Sequence, residues 1–343
     1  MKIHQVFLQK IVYLLCLFLL FSCKLTTKQS IDEQTIHLDP GWNTISFYVC
    51  PVNDSINDVF KPVRSDLIQV EGYRGFRDGF YNPQKGVDLL TSLIPNYAYL
   101  VCMKDSGIIN ISGDSYLRDT IVLKSRILTT RNHRVGYFTI PGSDTISFHE
   151  LEFKPKGKIH LIHDMKGGLY WDSLNINTID KFIPGKSYFF MFHEDNIILT
   201  KSRKARSSKL IHSISTKDNN TNDLPDSWKQ KEANPFFMVL AIPNHMDEVV
   251  DKSYIGAFTS DGFCSGFVKV DKETPYSILY VYADDFLEDQ QMGFRSSDSI
   301  FLKRYDPKDS STIDLEYQTL YSLNDILLFD DWETDFINYL EAK

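Results

Sequence analysis

Two stretches of the chain, LIPNYAYLVCMKDSGIINI (residues 93–111) and FIPGKSYFFMFHEDNIILT (residues 182–200), repeat one pattern in different letters. In each stretch, an Ile-Pro pair is followed by an apolar run rich in aromatic residues, then by a polar turn, and then by a second apolar run. Runs of this composition, bounded by turn-forming residues, predict two β-strands joined by a turn. Neither copy carries a recognisable catalytic motif, so the repetition indicates architecture rather than chemistry.

The similarity continues on the N-terminal side of both stretches. At a spacing of 90 residues Ile45-Ser46-Phe47 aligns with Val135-Gly136-Tyr137, and at a spacing of 89 residues Tyr99 aligns with Tyr188. Agreement at separated positions, with one deletion between them, predicts a tandem repeat. Its period exceeds the roughly 20–50 residues of solenoid repeats, so each copy is predicted to be a whole small module.

Each copy has the same predicted order of elements. A β-branched and aromatic strand comes first, followed by a short helical turn with Asp54 or Asp144 at the position of an N-cap. A strand, a Gly-rich turn, an aromatic return strand and two closing strands complete the copy. We therefore expect mostly β modules with minor α content.

Length and composition limit the class of protein. A chain of 343 residues exceeds the usual size of one domain, so two or three cores are expected. Its 43% hydrophobic, 13% aromatic and 24% charged residues are typical of a folded globular protein. The formal net charge of −8 disfavours nonspecific binding of nucleic acid, because phosphates would be repelled.

The N-terminus reads as a lipoprotein signal. Lys2 and Lys10 precede an apolar run from Ile11 that is shorter than the about 20 residues of a membrane span and suits a signal-peptide core. The run ends in Leu20-Phe21-Ser22-Cys23, which resembles a bacterial lipobox, with Phe21 bulkier than usual. The resemblance implies that Cys23 is acylated and that the membrane is reached through the N-terminal lipid, since more than one acyl chain anchors stably. The alternative is an ordinary signal peptide followed by a chance thiol.

The C-terminal third is predicted to be β throughout. Six apolar or alternating runs occur, at residues 236–242, 253–258, 263–270, 277–283, 299–305 and 313–320. Six or seven short strands separated by turns favour an antiparallel β-sandwich. The predicted organisation is a signal peptide (1–22), lipidated Cys and tether (23–35), module 1 (36–123), module 2 (124–200), a polar linker (201–233) and a β-sandwich domain (234–343).

Two resemblances bear on these domains. The first copy resembles a module of Bacteroidetes-type surface lipoproteins with the motifs L-x-x-G-W-N-x-I-S and P-G-K-G-Y, through Leu38, Gly41-Trp42-Asn43, Ile45-Ser46 and Tyr99. The second copy keeps only Pro184-Gly185-Lys186 and Tyr188 of these motifs. Ile255-Gly256-Ala257-Phe258, Cys264 and Gly266 resemble a sandwich domain of the same lineage. The resemblances imply extracytoplasmic, non-catalytic modules and immunoglobulin-like packing of the last domain.

The candidates for chemistry favour structural roles. His160 and His163 lie three residues apart on a predicted strand, where alternation places them on opposite faces, so one metal cannot bind both without a bulge. Cys264 lies in a strand and is predicted to be a core thiol rather than a nucleophile. Asp284, Asp285, Glu288 and Asp289 form an acidic loop without EF-hand spacing. We predict no catalytic residue, no metal site and no cofactor.

One turn is a candidate contact surface. Tyr73, Arg74, Phe76 and Arg77 lie in EGYRGFRDGFYN (residues 71–82), where two cations sit beside two aromatic rings among glycines. Such residues dominate binding hot spots, although the aromatics could also fold back onto the module's own sheet.

Two classes of function remain open. The chain is predicted to be a non-enzymatic, membrane-anchored surface lipoprotein that binds a glycan or a protein, or acts as a structural spacer. The alternative is a polysaccharide-processing hydrolase or an accessory glycan-binding component, for which a cleft with paired carboxylates would be diagnostic.

Overall fold

The structure is a computed structural model of the chain that describes residues 31–73, 77–129, 132–202, 223–228, 234–284, 293–319 and 334–342. Strands account for 53% of the described residues and helices for 6%, so the predicted mostly β class, with a β-sandwich, is confirmed. No helix within these ranges is long and apolar enough to cross a membrane.

Module 1 consists of two antiparallel sheets, ordered β2-β7-β4-β5-β6 and β1-β8-β3. Its strands are β1 (Ile31–Leu38), β2 (Gly41–Ser46), β3 (Val49–Pro51), β4 (Leu67–Tyr73), β5 (Arg77–Asn82), β6 (Val87–Asp88), β7 (Ala98–Met103) and β8 (Gly107–Ser115). The predicted helical turn is α1 (Ile56–Val59), followed by a 3-10 turn at Lys61–Val63. Apolar residues of both sheets, such as Ile45 and Ile109, meet in one buried cluster.

The main sheet of module 2 has a strand order similar to that of module 1, with additional short strands. Its sheets are ordered β10-β11-β18-β14-β15-β16, β13-β19-β9 and β12-β17. Its strands are β9 (Thr120–Leu123), β10 (Ile127–Leu128), β11 (Arg134–Thr139), β12 (Ile146–Ser147), β13 (Leu151–Lys154), β14 (Ile159–His163), β15 (Leu169–Trp171), β16 (Ile176–Asn177), β17 (Lys181–Phe182), β18 (Ser187–Phe192) and β19 (Ile197–Lys201). Asp144 precedes no α-helix; 3-10 turns lie at Phe148–Glu150 and Asp172–Leu174.

Equivalent hydrogen bonds relate the two modules. The Tyr99 hydroxyl accepts the N–H of Ile94 at 2.6 Å, and the Tyr188 hydroxyl accepts the N–H of Ile183 at 2.7 Å. Tyr99 pairs with Ile45, whereas Tyr188 pairs with Phe138. The opening strands therefore correspond at a spacing of 93 residues, not the 90 expected from sequence. The two alignments differ by three residues. An odd shift of a strand turns each of its side chains to the other face of the sheet, so the alignment by residue type places the wrong side chains in the core.

The C-terminal strands form one folded-over sheet, ordered β22-β21-β24-β25-β26-β20-β23. The strands are β20 (Phe237–Pro243), β21 (Tyr254–Phe258), β22 (Cys264–Lys269), β23 (Tyr276–Tyr282), β24 (Phe301–Asp306), β25 (Ser311–Thr319) and β26 (Thr334–Ala342). All neighbours are antiparallel except β20 and β26, which are parallel. A Cβ on Gly266 would collide with the Tyr280 carbonyl oxygen, because β22 lies directly on β23.

One apolar cluster joins all three parts of the chain, and we call it the shared core. It contains Tyr73 and Leu100 from module 1, Tyr137 and Phe189 from module 2, and Phe237 from the sandwich. Within the described residues, four further clusters each lie in one part of the chain: one in module 1, one in module 2 and two in the sandwich, the smaller of which includes Leu224 and Trp228. Module 1, module 2 and the sandwich are therefore not independent domains, because each buries apolar residues against the others.

Three predicted boundaries differ from the structure. Strand β1 begins at Ile31, within the predicted tether, because it pairs with β8 along its whole length. Strand β9 lies within the range predicted for module 1 (36–123), but it pairs with β19 and so belongs to module 2. Trp228, in the predicted linker, is buried against Phe258 and Tyr305 of the sandwich.

Candidate functional site

The predicted contact turn is only partly described, and Tyr73 is not at its tip. Strand β4 runs through Tyr73, which pairs with Ala98 and is 2% exposed in the shared core. Its ring lies 5.6 Å from that of Tyr137, and its hydroxyl donates to the buried Glu71 carboxylate at 3.2 Å. Arg74, Phe76 and the side chain of Arg77 lie outside the described residues. Tyr73 is thus a packing residue, which is the fold-back alternative.

Other residues singled out from sequence have structural positions. Cys264 is buried, as predicted, and its thiol lies 3.4 Å from the Gly266 carbonyl oxygen. Cys50 and Cys102 are not joined by a disulfide and lie on different sheets. Asp284 is buried beside Arg295, at 3.4 Å, whereas residues 285–292 and Cys23 lie outside the described ranges.

The G-W-N-x-I-S segment of module 1 (residues 41–46) contacts the P-G-K segment of module 2 (residues 184–186). The backbone N–H of Ser46 donates to the Gly185 carbonyl at 2.8 Å, and its hydroxyl donates to the Lys186 carbonyl at 3.0 Å. The Thr139 hydroxyl donates in turn to the Ser46 hydroxyl at 3.0 Å. The G-W-N-x-I-S opening of one module thereby packs on the P-G-K turn of the other.

A cleft of about 420 Å³ lies beside this junction. This inter-module cleft is lined from one side by residues of β1 and β2, including Trp42, and from the other by residues 164–166 and 183–186. Its volume falls within the about 300–1,000 Å³ of small-molecule sites. An aromatic wall with a few polar groups is typical of such sites.

The charges in the inter-module cleft are mixed. Lys166 pairs with Asp39 at 3.1 Å, and both side chains are 65% exposed. The Asp164 carboxylate accepts the backbone N–H groups of Lys166 and Gly168 at 2.8 and 2.7 Å. Partial burial, and then the nearby Lys166, lowers the pKa of Lys186. Among the described residues, the carboxylates that line the cleft are Asp39 and Asp164, and each has an ion-pair or hydrogen-bond partner.

A second cleft, of about 360 Å³, lies between residues 95–98 of module 1 and strands β9 and β11 of module 2. Arg118, Lys124 and Arg126 line it, and we call it the basic cleft. Tyr73 and Tyr137 also contribute to its lining.

Three histidines that are distant in sequence converge at one end of the module 2 sheet. His133, His160 and His193 place candidate ligand atoms within 4.8 Å of one another, and we call them the histidine cluster. The rings of His133 and His160 are stacked at 4.6 Å, and the ring of His193 lies 5.0 and 5.4 Å from them. Partial burial, and then His133 and Lys158, lowers the pKa of His193.

Strand register creates the histidine cluster. His133 immediately precedes β11 and His193 immediately follows β18, and the adjoining Arg134 and Phe192 are paired. The β14–β18 pairing has a bulge between Ile159 and Leu161, which leaves His160 as the extra residue. Bulges re-aim side chains and interrupt alternation. Sequence reasoning missed the cluster because it considered only the pair on one strand.

His163 lies apart from this cluster, deep in the shared core. Its ring is 4.9 Å from Phe237 and 4.7 Å from Tyr280, and its Nδ1 accepts the N–H of Met165 at 3.3 Å. Burial lowers its pKa to about 4, against a smaller opposing effect of Asp164. His163 is therefore a neutral packing residue, as predicted.

Comparison with known proteins gives no match to any family model, curated protein or solved structure. The geometry of the two clefts and of the histidine cluster is therefore the basis for assigning function.

Proposed function

We propose that the chain is a lipid-anchored, non-enzymatic binding protein of the outer membrane whose inter-module cleft binds a glycan. The observation that carries the proposal is the combination, in one cleft of about 420 Å³, of Trp42 with the exposed Asp39–Lys166 pair. An indole ring offers an apolar surface to the C–H face of a sugar, while the charged groups can hydrogen-bond its hydroxyls.

The proposal includes a duplicated module. It is supported by the common strand order of the main sheets, by the Tyr–Ile hydrogen bonds, and by a bulge at the same place in β4 and β14. Two backbone hydrogen bonds at corresponding positions also support it: the Lys104 N–H donates to the Asp66 carbonyl, and the His193 N–H donates to the Lys158 carbonyl.

The glycan proposal is tested with the full chain in detergent, screened against a glycan panel and titrated with the best binder. We expect Lys166→Ala to weaken binding at least tenfold, about 1.4 kcal/mol, by removing a cation from the cleft. Lys181→Ala is the matched control, since Lys181 is similarly exposed (62%), pairs with Asp180 and lies outside the cleft.

Unchanged affinity of Lys166→Ala, or no binder in the panel, would contradict the glycan assignment and favour a spacer role. Because Lys166 is a surface residue, its variant should keep the thermal midpoint of the native chain. A fall in that midpoint would identify a structural effect, and Asp39→Asn then provides the second test of the same pair.

Anchoring makes a separate prediction. We expect Cys23→Ala to release the protein from the membrane fraction or to leave it unprocessed, because the acylated thiol is the proposed attachment. Fractionation followed by mass spectrometry of the N-terminus measures this directly. A processed Cys23→Ala chain that stays in the membrane fraction would show that another element anchors it.

A further inference from the structure

We propose that His133, His160 and His193 form a binding site for one Zn²⁺ ion or a similar late first-row divalent metal. The site lies at the end of β11, β18 and β14, and it is distinct from the inter-module cleft. Three imidazoles with one remaining coordination position are a recurrent protein ligand set for zinc.

The distances suit this chemistry. Zn–N bonds of about 2.0–2.1 Å place the nitrogens of a tetrahedral site about 3.3 Å apart. The three candidate ligand atoms lie within 4.8 Å of one another, and binding requires the stacked rings of His133 and His160 to rotate until both ring planes meet at the ion. His193 is exposed and has room for such a rotation, while His133 and His160 are half-buried.

The backbone holds each histidine in place. The His133 carbonyl accepts the Thr129 N–H at 2.9 Å, and the His133 N–H donates to the Thr129 hydroxyl at 3.2 Å. The His193 N–H donates to the Lys158 carbonyl at 2.9 Å. His160 is set by the bulge in β14 and lies against Trp171, with ring centroids 5.9 Å apart. Sites on a strand framework hold their ligands more precisely than sites on loops.

The donor set selects the class of metal. Imidazole nitrogens suit Zn²⁺, Cu²⁺ and Ni²⁺, whereas Ca²⁺ and Mg²⁺ require oxygen ligands. Asp172 and Glu194 add negative charge near His193, and the opposing Lys158 ammonium is paired with Glu194 at 2.5 Å. Because His193 faces solvent, water or a group from outside the chain can take the fourth position.

The fold does not require histidine at these places. The hydrogen-bond and pairing equivalences place Pro40, Ile68 and Lys104 of module 1 at the positions of His133, His160 and His193. The same bulge, strand pair and backbone bond thus exist in module 1 without any histidine. The cluster is therefore a specific property of module 2 rather than a demand of its architecture.

The test is titration of the metal-free full chain in detergent with Zn²⁺, followed by Co²⁺ absorption spectroscopy. We expect one Zn²⁺ per chain and a Co²⁺ spectrum typical of tetrahedral or five-coordinate nitrogen ligation. His193→Lys, which installs the module 1 residue, should weaken Zn²⁺ binding at least 100-fold. His245→Lys, at an exposed histidine outside the cluster, should leave it unchanged.

Three results would overturn the proposal: no stoichiometric binding, an octahedral water-like Co²⁺ spectrum, or equal affinity in the His193→Lys and native chains. If His193→Lys fails to fold, His160→Gln provides the second test, with circular dichroism as the check of folding. Lys166→Ala should bind Zn²⁺ normally, so that failure of the metal site and failure of the glycan site are distinguishable.

Discussion

Phe189→Ala should lower the free energy of unfolding by about 3–5 kcal/mol, the usual cost of deleting a buried phenyl ring. Phe189 is 0% exposed, and its ring lies 5.5 Å from Tyr137 and 5.3 Å from Phe237. It therefore joins module 2 to the sandwich, and Tyr137 continues the contact to Tyr73 of module 1. Because all three parts share this core, we expect them to unfold together.

Denaturant unfolding followed by circular dichroism and by tryptophan fluorescence measures both effects. Three of the chain's four tryptophans have described positions: Trp42 and Trp171 contribute to the shared core from module 1 and module 2, and Trp228 lies in the sandwich, so coincident curves indicate one cooperative unit. Phe301→Ala is the matched control, since Phe301 is 47% exposed and its loss should change stability little. A loss below about 1 kcal/mol for Phe189→Ala, or separated transitions, would contradict the shared core.

The second large effect is a loss of stability in acid that depends on His163. Its pKa is about 4 in the folded chain and about 6.5 when unfolded, so the unfolded state binds a proton that the folded state does not. The contribution of the neutral His163 ring to the free energy of unfolding has its full value above pH 6.5 and decreases as the pH drops towards 4. The loss is about 3 kcal/mol, at about 1.4 kcal/mol for each pH unit in that window.

His163→Asn removes the titrating ring and keeps an acceptor for the Met165 N–H. We expect the variant to be less stable at pH 7, because it packs less well between Phe237 and Tyr280, but to lose less on acidification. Unfolding free energies at pH 7.0, 5.5 and 4.5 give the comparison, with His245→Asn as the exposed control. Parallel pH profiles for the native chain and His163→Asn would exclude His163 as the source.

The sequence predicted six of the seven described strands of the sandwich within two residues, because each is a short apolar run between turn residues, but it did not place β26. It predicted the mostly β class for the same reason. The sequence alignment matched Ile45 to Val135. In the structure the counterpart of Ile45 is Phe138, because Ile45 pairs with Tyr99 and Phe138 pairs with Tyr188. Pairing register is a property of two strands and cannot be read from one strand alone.

The candidate sites were less predictable than the fold. Trp42 and Lys186 were recognised as motif residues, but the inter-module cleft exists only where the two modules pack. The histidine cluster depends on a bulge and on a pairing register between segments about 30 residues apart or more, neither of which has a local sequence signal. The position of Tyr73 was left open between a contact turn and the module's own sheet, because no local pattern indicates that β4 continues through it.

The hydrogen bond between Ser46 and Thr139 joins two residues that occupy equivalent positions in their modules. Contact between equivalent residues is the mark of a two-fold axis, and the packing of β2 on β18 and of β11 on β7 obeys the same relation. Under the proposed duplication, a single ancestral module could have formed this arrangement as a homodimer with two identical clefts. Under that proposal, fusion into one chain would let the two clefts differ, one with Trp42 and the Asp39–Lys166 pair, the other with Arg118, Lys124 and Arg126.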